Sequence, residues 1–146
     1  MAVTIRKMQE RDIIGVRLMG FSTSEFDTGT SADTFYSRKT MLKWIKDQNG
    51  VAFSALSDNR VVGFILGNYL SASRGGYINT MVVDPEHRKQ GVGKELLRRA
   101  LSELQRKDCA HVFCAVEEEN EAMLAFMRKS GFEVGRSFRY VERMLD

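Results

Sequence analysis

The chain has 146 residues, of which 43% are hydrophobic and 28% charged, with a formal net charge of +3. That length suits a single domain, residues 1–146, with an ordinary core, and the composition is that of a soluble globular protein, so disorder is not expected. The excess positive charge favours anionic partners, but it gathers at one helix start with no interleaved stacking aromatics, so no nucleic-acid partner is expected.

The opening residues, MAVTIRKMQERD, carry charges every few positions, and the longest apolar run elsewhere, Val61–Leu66, contains Gly63. A signal peptide and a membrane span are therefore not expected, and the reading is a cytoplasmic protein. Cys109 and Cys114 are too few for a disulfide framework. If they share a strand, their odd spacing points them to opposite faces, so buried free thiols are expected and no metal site.

Val3–Lys7 alternates as a short strand, and Asp12–Met19 has helical spacing with Ile13, Val16 and Leu18 on its apolar side. Gly20–Asp33, rich in Ser, Thr and Gly, reads as a loop long enough to suggest a functional role. A second helix capped by Asp33 or Thr34 is predicted to run to about Gln48 and to stop at Asn49-Gly50. Val51–Ser57 and Val61–Leu70 form a hairpin around Asp58-Asn59. A turn at SASRGG leads to the strand Tyr77–Val83, which Asp84-Pro85 ends. The next helix runs to about Lys107, with Leu96, Leu97, Ala100, Leu101 and Leu104 at core spacing. His111–Val116 is a further strand and Glu121–Lys129 a helix stopped by Gly131. Phe132–Val134 and Arg139–Leu145 alternate as a closing hairpin, whose edge offers a route to a homodimer in place of a monomer. The order predicts one α/β domain on a mixed sheet of about seven strands flanked by about four helices.

Between the strand and the helix lies DPEHRKQGVGKELL, residues 84–97. A helix start leaves unpaired amides and a partial positive charge, which suits an anion. Gly91 and Gly93 remove the Cβ atoms that would hold a phosphate off the backbone. Arg88, Lys89 and Lys94 add full charges, Arg88 with a forked donor set. The stretch therefore reads as a pyrophosphate cradle. The spacing is not G-x-G-x-x-G and there is no G-K-[ST], so Rossmann and Walker sites are disfavoured.

VVDPEHRKQGVGKELL resembles the acetyl-CoA-binding motif of the GNAT family of N-acetyltransferases, Arg/Gln-x-x-Gly-x-Gly/Ala at the head of a helix. NEAMLAFMRKSGFEVG is similar to the family's second signature, Asn-x-x-Ala/Met-x-x-x-Tyr-x-x-x-Gly-Phe. The resemblance extends to element order across nearly the whole chain and implies the acyl-CoA N-acyltransferase fold. It implies acetyl-CoA as co-substrate, held in a V between Tyr77–Val83 and His111–Val116. The pyrophosphate would take Arg88, Lys89 and the amides of Gln90, Gly91, Val92, Gly93 and Lys94. The pantetheine arm would pair with the backbone of Met81, Val82 and Val83. Asn120 would bond the cofactor arm, a role that can coexist with capping the helix after it. Phe126 and Phe132 read as core.

The implied activity is transfer of acetyl from acetyl-CoA to a primary amine (a small amine, a lysine or a peptide N-terminus) by direct attack in a ternary complex, without a metal. A backbone N–H near Met81–Val83 would stabilise the oxyanion. The sequence departs from the family at the acid and base. The usual tyrosine beside the cofactor falls on Met127, and the glutamates of two acetylating branches fall on Asn79 and Ala115. Tyr77 is the first substitute as acid, with Asn79 orienting a water. Tyr69, Tyr140, His87 and His111 are weaker substitutes, and Glu117 and Glu118 read as a solvated run that could feed a water chain. Between Leu18 and Ser37 there is no Lys or Arg, so Glu25, Asp27 and Asp33 form a local negative segment. Glu25, Phe26, Asp27 and Tyr36 are the candidate acceptor residues, and a solvated loop is the alternative for that segment. A module of the same fold that binds acetyl-CoA as a sensor with little turnover is the alternative function, motivated by Met127, Asn79 and Ala115.

Overall fold

The computed structural model describes residues 2–23 and 35–145. Strand β1 (Thr4–Lys7) pairs antiparallel with β2 (Gly50–Ser57), β2 with β3 (Arg60–Leu70), and β3 with β4 (Gly75–Val83). Strand β5 (His111–Cys114) lies parallel to β4, which makes the sheet mixed, in the order β1-β2-β3-β4-β5. The tight β2–β3 turn forms because Asp58 and Asn59 both take positive φ, 51° and 63°, the twist a two-residue hairpin requires.

Helices α1 (Ile13–Phe21) and α2 (Arg38–Lys46) cover one face of the sheet, where Ile13, Val16, Phe35 and Met41 meet Phe64, Leu66 and Val82. Helices α3 (Val92–Arg106) and α4 (Glu121–Lys129) cover the other, where Leu96, Leu97, Ala100, Leu104 and Met127 meet Phe53, Ile65 and Ile78. The spacing read from the sequence for α3 is the buried stripe observed. Each buried leucine contributes about 1.5–3 kcal/mol relative to exposure. Helix α4 ends as the glycine predicts. Gly131 has φ 94°, and the amides of Phe132 and Gly131 close onto the carbonyls of Met127 and Arg128 at 3.0 and 3.1 Å, a Schellman stop.

Three expectations need correction. Helix α2 begins later than expected, with Ser37 as its cap, the hydroxyl accepting from the Thr40 amide at 3.2 Å; Asp33 and Thr34 lie outside the described residues. Strand β5 stops at Cys114, short of Val116. The closing hairpin does not form among the described residues, so the sheet there has five strands and not about seven. Residues 133–145 form no ladder, and Phe138, Val141 and Leu145 are more than four-fifths exposed. Alternation makes a strand only where a neighbour takes the hydrogen bonds and a core takes one face, and this segment has neither.

Candidate active site

The glycine stretch forms the turn between β4 and α3, as its sequence position predicts. After β4, Pro85–His87 forms one 3-10 turn, and Lys89 (φ 63°) and Gly91 (φ 82°) turn the chain into α3. Gly91 is the N-cap without a side-chain hydrogen bond, so the first amides of α3 have neither an intrahelical acceptor nor a capping oxygen. A Cβ on Gly91 would meet nothing within 4 Å, and one on Gly93 only ordinary contacts with Val83 and Phe126 at 3.6 and 3.7 Å. The bare backbone there is not demanded by the protein's own packing, and it leaves a cradle open to an anion. Arg88 anchors its Nε on the Val83 carbonyl at 2.9 Å, which leaves its terminal nitrogens outward. Lys89, Gln90 and Lys94 are exposed, whereas the Val92 side chain is core. His87 is held by Asp84 at 3.0 Å within this loop.

Beside this cradle the sheet opens. Pairing of β4 with β5 runs from Gly75↔His111 to Ile78↔Cys114 and then stops, so Asn79–Val83 have no β5 partner. The edge of β4 that carries Met81, Val82 and Val83 is thus free on that side. Asn120 caps α4 by accepting the Met123 amide at 3.1 Å, and its Nδ2 remains a donor. Met127 is 5% exposed and packed in the core between the sheet and α3.

The register of β4 shifts at this opening. Leu66 faces Thr80 while the next residue, Gly67, faces Ile78, so Asn79 is an extra residue, a bulge. Tyr77 is paired with Asn68 and Val82 with Phe64, on the α1–α2 side, whereas Met81 packs against the α3 side. Unbroken alternation would have sent Met81 and Val83 to the face of Tyr77. The bulge reverses their direction and leaves Asn79 among polar neighbours.

Those neighbours are Tyr36, Asn68 and Tyr77. Asn68 donates its Nδ2 to Asn79 Oδ1 at 2.9 Å. Burial raises the Tyr36 phenol above the usual tyrosine value, the nearby Asn79 side chain pulls it partly back, and the neighbouring Tyr77 adds to the rise. Burial also raises Tyr77, helped by the Cys114 thiol, itself raised by burial. Tyr140 reaches the same rim. Its hydrogen bond to Glu142 at 3.0 Å is the main cause that raises its phenol, with Tyr36 and Tyr77 contributing. Trp44 stands edge-on to Tyr36 at 4.9 Å and donates its indole N–H to the Gly67 carbonyl at 2.9 Å.

Tyr77, Asn79 and Tyr36 are therefore brought together. Glu25, Phe26 and Asp27 lie outside the described residues. Tyr69 packs toward the core on the α3 side, away from the cluster. His111 is exposed and stacked on Phe113, and Glu118 accepts from Ser137 at 2.8 Å. Phe126 and Phe132 are packed against the core as expected. Sequence reasoning missed Asn68 and Trp44; an asparagine interrupting the apolar run VVGFILGNYL was the available signal for the first. Both cysteines are free and partly buried, but they do not share a strand, since Cys109 precedes β5. Among the described residues no group of three His, Cys, Asp or Glu side chains is placed to hold a metal ion, and no helix is long and apolar enough to cross a membrane.

The profile described as Acetyltransferase (GNAT) family matches residues 18–132. The chain belongs to this family. This GNAT chain is 30% identical over 109 residues to "N-alpha-acetyltransferase 30" of Xenopus laevis, an alignment covering 72% of this chain and 40% of that relative. It thus spans well under half of that relative's length. Among solved structures, the PaiA N-acetyltransferase of Thermoplasma acidophilum in complex with coenzyme A superposes with a TM-score of 0.80 at 20% identity, covering 94% of each chain. An aminoglycoside N-acetyltransferase in complex with CoA superposes with a TM-score of 0.73 at 20% identity, covering 97% of this chain and 100% of the other. These likenesses show that the GNAT chain has the GNAT fold.

Proposed function

We propose that the protein is an N-acetyltransferase that moves the acetyl group of acetyl-CoA to a primary amine by direct attack in a ternary complex. The observation that carries this is the parting of β4 from β5 beside the uncapped start of α3, in a chain of this family. The fit to acetyl-CoA rests on the open backbone at Gly91 and on the free edge of β4. When bound, acetyl-CoA supplies an activated thioester. The α3 amides, Arg88, Lys89 and Lys94 hold its phosphates, the backbone of Met81–Val83 aligns its arm, and Asn120 Nδ2 donates to that arm. Met127 contributes packing beneath it.

Among the described residues around Asn79 there is no strong base, and the acceptor side must explain how an amine reacts there. Tyr36, Asn68, Tyr77 and Asn79 carry no formal charge at pH 7. A lysine-like amine, with a pKa near 10.4, is neutral in under about one molecule in a thousand at pH 7.2. An α-amine, with a pKa of about 7.7–8.0, is neutral in roughly one in five. A site of amides and phenols therefore suits a peptide N-terminus better than a lysine, and the relatives named N-alpha-acetyltransferase agree. In this reading Asn79 orients a water that takes the amine's proton, and Tyr77, kept neutral by burial, gives a proton to the departing sulfur. Tyr36, with Glu25, Phe26 and Asp27, borders the acceptor. The protein is cytoplasmic and acts as a monomer or homodimer.

The test follows free thiol released from acetyl-CoA while short peptides with free N-termini, N-blocked lysine peptides and polyamines are offered. Release above background with free N-termini supports the reading, and release only with lysine or polyamine overturns its acceptor. A second reading, an acetyl-CoA sensor with little turnover, is favoured by the burial of Met127 at the position of the usual proton donor. Tight binding of acetyl-CoA with no release from any class would select it.

A further inference from the structure

Two parts of the chain each lack what the other offers. Strand β5 pairs with β4 on one side and no described strand lies on its other side, so the backbone of His111–Cys114 is an open sheet edge. Val112, Cys114 and Val116 pack against the core, while Phe113 is 43% exposed. Edges that stay unpaired in soluble proteins are blunted by proline, lysine or a bulge, and HVFC carries none of these. The second part is the segment after α4. Phe132 is the last residue packed against the core, and residues 133–145 form no ladder among the described residues. Within that segment Phe138, Val141, Met144 and Leu145 are between 69% and 89% exposed.

The segment has the pattern of a strand without its sheet. On an extended chain Phe138, Tyr140 and Met144 fall on one face, and Val141 and Leu145 on the other. Apolar residues on both faces suit a strand covered from both sides, and helices cover both faces of this sheet. Charge points the same way. Arg136, Arg139 and Arg143 punctuate the segment, while the acidic run Glu117–Glu119 follows β5 closely. Ser137 donates to Glu118 at 2.8 Å, which places the start of the segment beside that run.

The exposed surface favours a second copy of this chain as the occupant. The chain exposes 10041 Å², where a compact monomer of 16.6 kDa exposes roughly 7,600 Å². The surplus is well above the roughly 800 Å² per partner that a stable interface buries. A two-fold pair satisfies both parts at once, because each copy brings one strand without a sheet and one sheet edge without a strand.

We propose that the protein is a strand-exchanged homodimer, in which Phe138–Leu145 of one copy adds as a strand to the β5 edge of the other, and the reverse. The arginines of each segment then lie along the acidic run of the other copy. The exchange rests on strand geometry and not on the reaction proposed above, so either can fail alone.

Two measurements test it. The first is sedimentation velocity of the full chain from low to high micromolar concentration. The parent is expected at twice the chain mass. Val141→Pro, which removes an amide donor from the middle of the added strand, is expected at the mass of one chain. Val141 is 86% exposed in the single copy, so the fold of one chain does not depend on it, and circular dichroism of the variant checks this. A parent that stays monomeric at every concentration overturns the proposal, and so does a Val141→Pro variant as fully dimeric as the parent. The second is isotope-filtered NMR on the parent, assembled by refolding 15N-labelled and 13C-labelled copies together. Contacts between residues 138–145 and 111–114 are expected across copies. Contacts only within one copy would mean that the segment folds back on its own β5, and a dimer with neither contact would mean that another surface joins the copies; both overturn the exchange. This second measurement needs no variant and decides the matter even where Val141→Pro fails to fold.

Discussion

Trp44 donates its indole N–H to the carbonyl of Gly67 at 2.9 Å, tying α2 to the point where the register of β3 against β4 shifts. Gly67 has little room to move there, since a Cβ on it would lie 2.9 Å from the Tyr77 carbonyl. Trp44→Phe keeps an aromatic ring beside Tyr36 but leaves a half-buried carbonyl without its donor. The expected loss is about 1 kcal/mol of stability, read by urea unfolding. Because the same shift presents Asn79, kcat should fall severalfold while calorimetric affinity for acetyl-CoA stays constant. A stable variant with parental kcat would show that the bulge holds without this bond.

Gly91 combines a left-handed backbone with open space beyond it. Gly91→Ala is expected to cost about 1–2 kcal/mol from the conformation alone. Gly91→Glu should cost a similar amount of stability, yet it also places a carboxylate where the α3 amides attract an anion. Acetyl-CoA affinity in the Glu variant should fall at least about tenfold, or 1.4 kcal/mol. Equal affinity in parent and Glu variant by calorimetry would remove this loop as the phosphate site.

Tyr77 is raised by burial and so stays protonated well past neutral pH. Tyr77→Phe should reduce kcat with little change in acetyl-CoA affinity. The sign of the shift also constrains the pH profile. A basic limb caused by this phenol must lie above the ordinary tyrosine value of about 10. A limb well below that, persisting in Tyr77→Phe, would assign the titration to another group, such as the acceptor amine.

Asp12 is 2% exposed and accepts from Arg6 at 2.6 and 3.0 Å, from the Gln9 amide at 2.8 Å and from Ser54 at 3.1 Å. Burial alone would raise its carboxyl, but these bonds outweigh it and the folded value is lowered. Its contribution is therefore complete above the unfolded value of about 3.9 and is lost as pH falls through the lower folded value. Asp12→Ala should destabilise by about 3 kcal/mol at pH 7, discounted where Arg6 meets solvent. Urea midpoints of parent and variant should converge toward pH 2; a constant gap would mean that the charge is not what stabilises.

Local chemistry made the start of α3 and the end of α4 legible in the sequence. Gly91 and Gly131 take the dihedrals that only glycine adopts cheaply, Asp58-Asn59 makes its turn, and the leucines of α3 carry their period in plain view. The turn proposed to hold the pyrophosphate was legible too, because a helix start and its adjacent basic side chains are contiguous in the chain. The residues 132–145 show where this legibility ends. Their alternation is real, but a ladder needs a partner strand that no local pattern encodes. The polar cluster around Asn79 was half legible for the same reason. Tyr77 and Asn79 could be placed on one strand, whereas their meeting with Tyr36 and Asn68 joins three segments far apart in sequence. That meeting turns on one inserted residue at Asn79, because a bulge reverses the inside and outside of every residue after it and no run of side chains announces it.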